Sequence, residues 1–233
     1  MNRIAIGLLA ALAGFSPVPA AAQDDGVVPV ESRELRLNGA RIHFLEAGRG
    51  ETVLLLHGMR YSAQTWRELG TLELLAREGY RAVALDLPGF GESDASEAPV
   101  DRFLASLLPL IADRPVVVVS PSMSGRFSFP LLLKRPSFVL GFVPIAPAEL
   151  AEYLDQLRGR DLPALVVWGE NDEIVPPRSS RALAEALPNS RRVEIPGAGH
   201  ACYLDQPQVF HRELLLFLKG LLPEAHGSPS GTM

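Results

Sequence analysis

The chain has 233 residues, with 22 Lys and Arg against 27 Asp and Glu, a formal charge of −5 and a single cysteine, Cys202. No basic run exists that could follow a phosphate backbone, which argues against a nucleic-acid partner. One cysteine excludes an internal disulfide, so the fold must rest on its hydrophobic core.

The first 22 residues read as a secretory signal peptide. Met1-Asn-Arg3 is positive, Ile4 to Phe15 is an unbroken apolar and glycine run, and Ala20-Ala-Ala22 has the A-x-A form of a cleavage site. Twelve residues at ~1.5 Å rise fall short of a hydrocarbon core of about 30 Å, so the run is no membrane anchor. No cysteine lies near the cut, which argues against a lipoprotein. We therefore expect a periplasmic or secreted protein that begins at Gln23, without stable membrane insertion. Its 211 residues (233 less 22) are one domain's worth, and loss of Arg3 takes the charge from −5 to −6.

Glu34-Leu-Arg-Leu37 and Arg41-Ile-His-Phe-Leu45 alternate polar and apolar residues around Asn38-Gly39, which predicts an antiparallel hairpin. The pattern then changes to continuous apolar runs: Val53–Leu56, Ala82–Leu85, Val116–Val119, Phe138–Ile145 and Ala164–Val167. Such runs suit parallel strands buried on both faces. Arg192–Ile195 alternates and is expected near the sheet edge.

Helical patterns fill most gaps. Trp66, Leu69, Leu72 and Ala76 share one face up to Gly79. Phe210, Leu214, Phe217 and Leu221 do the same after Asp205-Gln-Pro207, which reads as an N-cap followed by proline in the first turn. A helix from Asp101 should stop near Leu108, ahead of Pro109. Strands alternating with helices predict a doubly wound, mostly parallel α/β sheet over residues 23–222. Residues 223–233 are Pro/Gly/Ser-rich and expected to be disordered.

Three motifs sit where strands end: Ser120-Pro-Ser-Met-Ser-Gly125, Gly169-Glu-Asn-Asp172 and Gly197-Ala-Gly-His200. They supply serine, acid and histidine in the chain order of α/β-hydrolases rather than of chymotrypsin or subtilisin. A serine hydroxyl needs an adjacent base and an exposed turn with small flanking residues. Ser122 is the candidate nucleophile, with Ser120 and Ser124 in the usual glycine places. His200 is the candidate base, and His43, His57, His211 and His226 fit worse. Asp172 is the candidate orienting acid, with Glu170, Glu173 and Asp86 as rivals.

Each motif also has a plain reading: a Ser/Pro turn, a solvated histidine, a turn aspartate. His57-Gly58-Met59 closes the Val53–Leu56 strand and should give one oxyanion donor, the Met59 amide, with the Met123 amide as the other. The G-x-G within Asp86–Ser93 lacks the remaining glycine of a nucleotide fingerprint and reads as a loop. No metal or cofactor motif is present, and Cys202 reads as a buried, inert thiol.

From Leu54 to Leu221 the chain resembles an α/β-hydrolase, and more narrowly the α/β-hydrolase domain-containing protein 14 group. The resemblance rests on Leu54-Leu-Leu-His-Gly-Met-Arg60, Tyr80–Gly89, Ser120–Gly125, Gly141–Pro147 and Gly197–Asp205. It implies a Ser122–Asp172–His200 triad acting on short acyl esters. Members of that group are also associated with removing acetyl groups from lysine, with coenzyme A as acceptor.

The expectation is an exported serine hydrolase without added cofactor, acting on a small-molecule acyl ester. The rivals are transfer of the acyl group to a thiol, alcohol or peroxide, and a non-catalytic binding module. Only Ala146 to Pro163 separate two core strands at the place where a lid is often inserted. That stretch, with Leu150, Tyr153, Leu154 and Leu157 on one stripe, is too short for a closed cap with its own core.

Overall fold

Asn38 and Gly39 both take positive φ, 51° and 87°, as a two-residue type I′ turn demands. They join β1 (Val30–Leu37) to β2 (Ala40–Gly48) in an antiparallel pair from Leu37 opposite Ala40 to Val30 opposite Ala47. This hairpin is one edge of an eight-stranded sheet in the order β1-β2-β4-β3-β5-β6-β7-β8. The remaining strands are β3 (Thr52–Leu55), β4 (Arg81–Leu85), β5 (Val116–Pro121), β6 (Val139–Ile145), β7 (Ala164–Gly169) and β8 (Ser190–Ile195). The β2–β4 pair is antiparallel, and from β4 onward all pairing is parallel, with β8 at the far edge. The computed structural model describes residues 28–221. The expected signal peptide and disordered tail lie outside them.

The continuous apolar runs are explained by burial on both faces. Leu54, Leu56, Val116 and Val118 point into one core, while Val53, Leu55, Val117 and Val119 point into the other. The first core is covered by α3 (Val100–Ile111), α4 (Gly125–Lys134), α5 (Leu150–Leu157) and α6 (Arg178–Ala186). The second is covered by α1 (Ala63–Glu68), α2 (Thr71–Arg77), α7 (Cys202–Asp205) and α8 (Pro207–Leu221). Trp66 is fully buried in that second layer, and its indole N–H donates to Leu56 O at 2.8 Å, so burial leaves no orphan donor.

Three helix readings are corrected. The expected single helix from Trp66 to Ala76 is two, α1 and α2, because Gly70 adopts φ 70° and caps α2 in the left-handed region. The apolar period continues across the break, so the same face stays buried. The helix expected to end ahead of Pro109 continues to Ile111. Leu108 and Ile111 are buried in the first core, and that packing outweighs the hydrogen bond proline removes near a helix end. Asp205 does not cap α8: its carboxylate Oδ2 accepts from the Gly199 amide at 2.8 Å.

The segment after β6 forms α5 and no cap. Leu150 and Leu157 are buried in the first core, and Tyr153 stacks on Phe129 of α4 with ring centroids 5.2 Å apart. The apolar stripe is turned inward against the domain rather than over the strand ends.

Candidate active site

The strand β5 ends in a sharp turn at Ser122, which takes φ 49°, in the left-handed region that an L-residue rarely adopts. A 3-10 turn over Ser122–Ser124 leads directly into α4. The turn brings the buried Ser120 and Ser124 together, with their hydroxyls 3.0 Å apart, and Ser128 reaches Ser120 at 2.7 Å. Ser124 donates to Pro121 O at 2.8 Å. Each hydroxyl has one hydrogen, so Ser128 donates to Ser120 and Ser120 donates to Ser124. This chain satisfies polar groups that glycine at those places would lack. Ser128 was not singled out by the motif; its place one helical turn past Ser124 was the available signal.

His200 and Asp172 arrive on neighbouring strand ends. The His200 imidazole sits with Nε2 2.8 Å from Ser122 Oγ and Nδ1 2.9 Å from Asp172 Oδ2. The Asp172 side chain is fully buried and the imidazole is 23% exposed, so the histidine bridges a dry acid and an open hydroxyl. Asp172 also does what a turn aspartate does: its Oδ1 accepts from the amides of Ile174 and Val175 at 2.8 and 2.9 Å. Those two bonds fix the carboxylate so that Oδ2 faces the ring.

The loops carrying Asp172 and His200 are held to each other. The Asn171 amide donates to Ala198 O at 2.8 Å. At the end of β7 a Cβ on Gly169 would lie 2.0 Å from Gly199 O and 2.5 Å from Ala198 O. Only glycine lets the histidine loop cross there.

The rival acids are engaged elsewhere. Glu170 Oε2 accepts from the Gly197 amide at 2.9 Å and braces the histidine turn from outside. Glu173 is exposed, and it is Asp172 whose carboxylate meets the His200 ring. Asp86 is buried and accepts from the Ala63 and Glu92 amides at 2.7 and 2.9 Å, with His43 Nδ1 2.7 Å away. It also explains the G-x-G loop, since a Cβ on Gly91 would strike its carboxyl group at 2.2 Å.

Of the other histidines, His43 is buried against Asp86, His57 is fully buried behind β3, and His211 Nε2 lies 2.8 Å from Thr71 Oγ1. His226 lies outside the described residues.

The loop Gly58-Met59 passes beside Ser122, for a Cβ built on Gly58 would be 3.6 Å from Ser122 Cβ. Met59 is 66% exposed, whereas Met123 is buried. On the opposite side, the Ala148 amide donates to Ser122 O at 2.8 Å, and Ala148 O lies where a side chain on Gly125 would sit. The segment after β6 therefore buttresses the turn, with Ala146 and Glu149 at positive φ and Glu149 paired to Arg126 at 3.0 Å. That contribution had no sequence signal beyond the segment's position.

With this geometry in place, comparison with known proteins is informative. The family model described as alpha/beta hydrolase fold matches residues 51–158 and 145–207. The human protein named "Putative protein-lysine deacylase ABHD14B" is 43% identical over 211 residues, covering 82% of this chain and 98% of that protein. The chain is an α/β-hydrolase of the ABHD14 group. Human ABHD14A is 44% identical over 217 residues, covering 90% of this chain and 74% of that one. Among solved structures, a predicted CIB-like hydrolase from Thermoplasma acidophilum superposes with a TM-score of 0.79 at 25% identity, covering 83% of this chain and all of that one. Membership in this family makes the chain a hydrolase.

Cys202, two residues past His200, is fully buried. Burial, helped by the charges of Asp172 and Asp205, pushes its thiol up to about 12. A thiol raised in the folded state stabilises the fold fully below the unfolded value of about 8.5. That contribution is lost as pH climbs through about 12. Iodoacetamide at pH 8 should therefore label the native protein far more slowly than the urea-unfolded chain. Equal labelling rates would show an accessible thiolate.

Proposed function

We propose that this hydrolase is an exported serine esterase that cleaves short-chain, acetyl-like acyl esters through a covalent acyl-enzyme. The observation that carries the reading is the unbroken contact from Ser122 Oγ through His200 to the buried Asp172 carboxylate. Ser122 Oγ attacks the ester carbonyl carbon while its proton passes to His200 Nε2. The carbonyl oxygen becomes an oxyanion that accepts from the Met59 and Met123 amides. His200 then gives its proton to the alcohol oxygen as the ester C–O bond breaks. Water, deprotonated by His200, attacks the acyl-enzyme and releases the acid, restoring the Ser122 hydroxyl. Asp172 holds the imidazole in the tautomer with Nδ1–H and stabilises the imidazolium formed at each transfer.

A second reading keeps these steps and changes the bond cleaved or the acceptor. The 43% identity to a protein named for lysine deacylation supports an acyl-lysine amide as substrate, with a thiol, alcohol or peroxide competing with water for the acyl group. Product analysis with competing acceptors separates the two readings.

The triad is tested by hydrolysis of p-nitrophenyl esters. Ser122→Ala should abolish turnover. Asp172→Asn should lower kcat by roughly 10⁴, by analogy with the trypsin aspartate, with little change in Tm. Glu170→Gln should leave most activity in place. Comparable activity in Asp172→Asn with collapse in Glu170→Gln or Asp86→Asn would reassign the acid.

The preference for short acyl chains follows from α5, which packs inward and forms no cap. An extended apolar pocket gains ~0.8 kcal/mol per buried CH₂, so each added methylene would raise kcat/KM severalfold. We expect a maximum between acetyl and butyryl esters and no jump in rate at micelles. A steady rise through octanoate would reveal a long acyl pocket.

Export rests on the Met1–Ala22 segment alone. Mass spectrometry of the protein from cells should find Gln23 as the N-terminus. A cytoplasmic protein retaining Met1 would overturn export and favour coenzyme A as acceptor.

A further inference from the structure

His57 takes no part in the Ser122–His200–Asp172 chain, yet it is fully buried beside the loop that passes the nucleophile. Its Nε2 lies 3.0 Å from the Leu87 amide nitrogen, and its Nδ1 lies 2.8 Å from Gly58 O. An amide N–H can only donate and a carbonyl can only accept. Nε2 must therefore be the bare nitrogen, and Nδ1 must carry the hydrogen and donate to Gly58 O. Burial lowers the basicity of the ring by more than the Gly58 carbonyl and the Asp86 charge raise it, so the imidazole is neutral at neutral pH. Protonation would turn a second N–H toward the Leu87 donor.

The Gly58 carbonyl and the Met59 N–H belong to one peptide unit. No cis bond occurs among the described residues, and in a planar trans peptide the C=O and N–H point in opposite directions. A group that fixes the oxygen therefore fixes the direction of the hydrogen. Gly58 O is held twice, by His57 Nδ1–H and by the Tyr61 amide at 3.1 Å. Among the described residues, nothing accepts from the Met59 amide. The same device acts on the other donor: Ser122 O accepts from the Ala148 and Gly125 amides, which fixes the Met123 N–H on the far side of its peptide.

We infer that His57 is a positioning residue, which holds the Gly58 carbonyl and so aims the Met59 amide at the oxyanion formed when Ser122 attacks. This rests on the serine-hydrolase reading. It adds to that reading a requirement for a neutral imidazole with its hydrogen on Nδ1. A purely structural role, joining the β3 and β4 loops through Leu87, makes different demands on the side chain. Asparagine can present an N–H near the Nδ1 place but does not reach Leu87. Glutamine can offer a carbonyl toward Leu87 but leaves Gly58 O without its side-chain donor. Leucine does neither.

The test compares His57→Asn, His57→Gln and His57→Leu on a p-nitrophenyl ester, with Tm, kcat and KM measured for each. Positioning predicts that Gln and Leu lower kcat by up to roughly 10²–10³, the scale of a lost oxyanion donor, with KM little changed. Asn should recover much of that loss. Equal kcat in the Asn and Gln variants, or a Tm loss with parental kcat in all three, would overturn the proposal.

The unaltered protein gives a second readout that no folding failure can remove. Its imidazole ¹⁵N spectrum at pH 7 should show His57 neutral and protonated on Nδ1. A hydrogen on Nε2, or an imidazolium, would overturn the lock by itself. If the parent shows no turnover that depends on Ser122, the esterase reading fails, and the ¹⁵N spectrum still decides whether the peptide is held as described.

Discussion

Parallel pairing from β4 to β8 puts the ends of β3, β5, β7 and β8 along one edge of the sheet, and the candidate site depends on that edge. The ladder continues one residue past several strands, with Leu56 N donating to Val119 O, Ala146 N to Val167 O and Glu170 N to Ile195 O at 2.9–3.1 Å. Each of these bonds fixes the start of a loop of the candidate site relative to its neighbour. Because the strands are buried on both faces, a one-residue slip would send every side chain into the opposite core and break the packing of both. The Met59, Ser122, Asp172 and His200 segments thus inherit their spacing from backbone hydrogen bonds.

On that rigid edge the structure concentrates conformations that a loop alone would not hold. Ser122, Ala146 and Glu149 all take positive φ without being glycine, and all three lie on the turn after β5 or the segment that braces it. Such backbone costs of order 1–3 kcal/mol per residue and persists only where the surroundings over-determine it. The surroundings here are the bond from Ala148 to Ser122 O, the serine hydroxyl chain beneath the turn and the core packing of α4. The result is a hydroxyl held out from the sheet edge, 2.8 Å from Nε2 of the His200 imidazole.

Much of this was legible in the sequence. Asn38-Gly39 gives the hairpin through its turn chemistry, and the β-branched runs give the parallel strands through their lack of alternation. The serine, acid and histidine motifs are readable because each falls at a strand end. What escaped the sequence depends on tertiary contact. Pro109 stays in its helix because Leu108 and Ile111 are buried. Asp205 turns from α8 to hold the Gly199 amide, and Ser128 and Ala148 matter only once the turn has closed on them. Gly70 is the exception, a break that was visible locally but masked by an apolar period running straight across it.

The central claim is that Ser122 carries the acyl group between substrate and water. Rapid quenching of the wild-type enzyme with p-nitrophenyl acetate, followed by peptide mapping, tests it directly. An acetyl group on Ser122 that forms and decays at least as fast as turnover is the predicted result. Steady turnover with no adduct, or with the acetyl group on another residue, would contradict it.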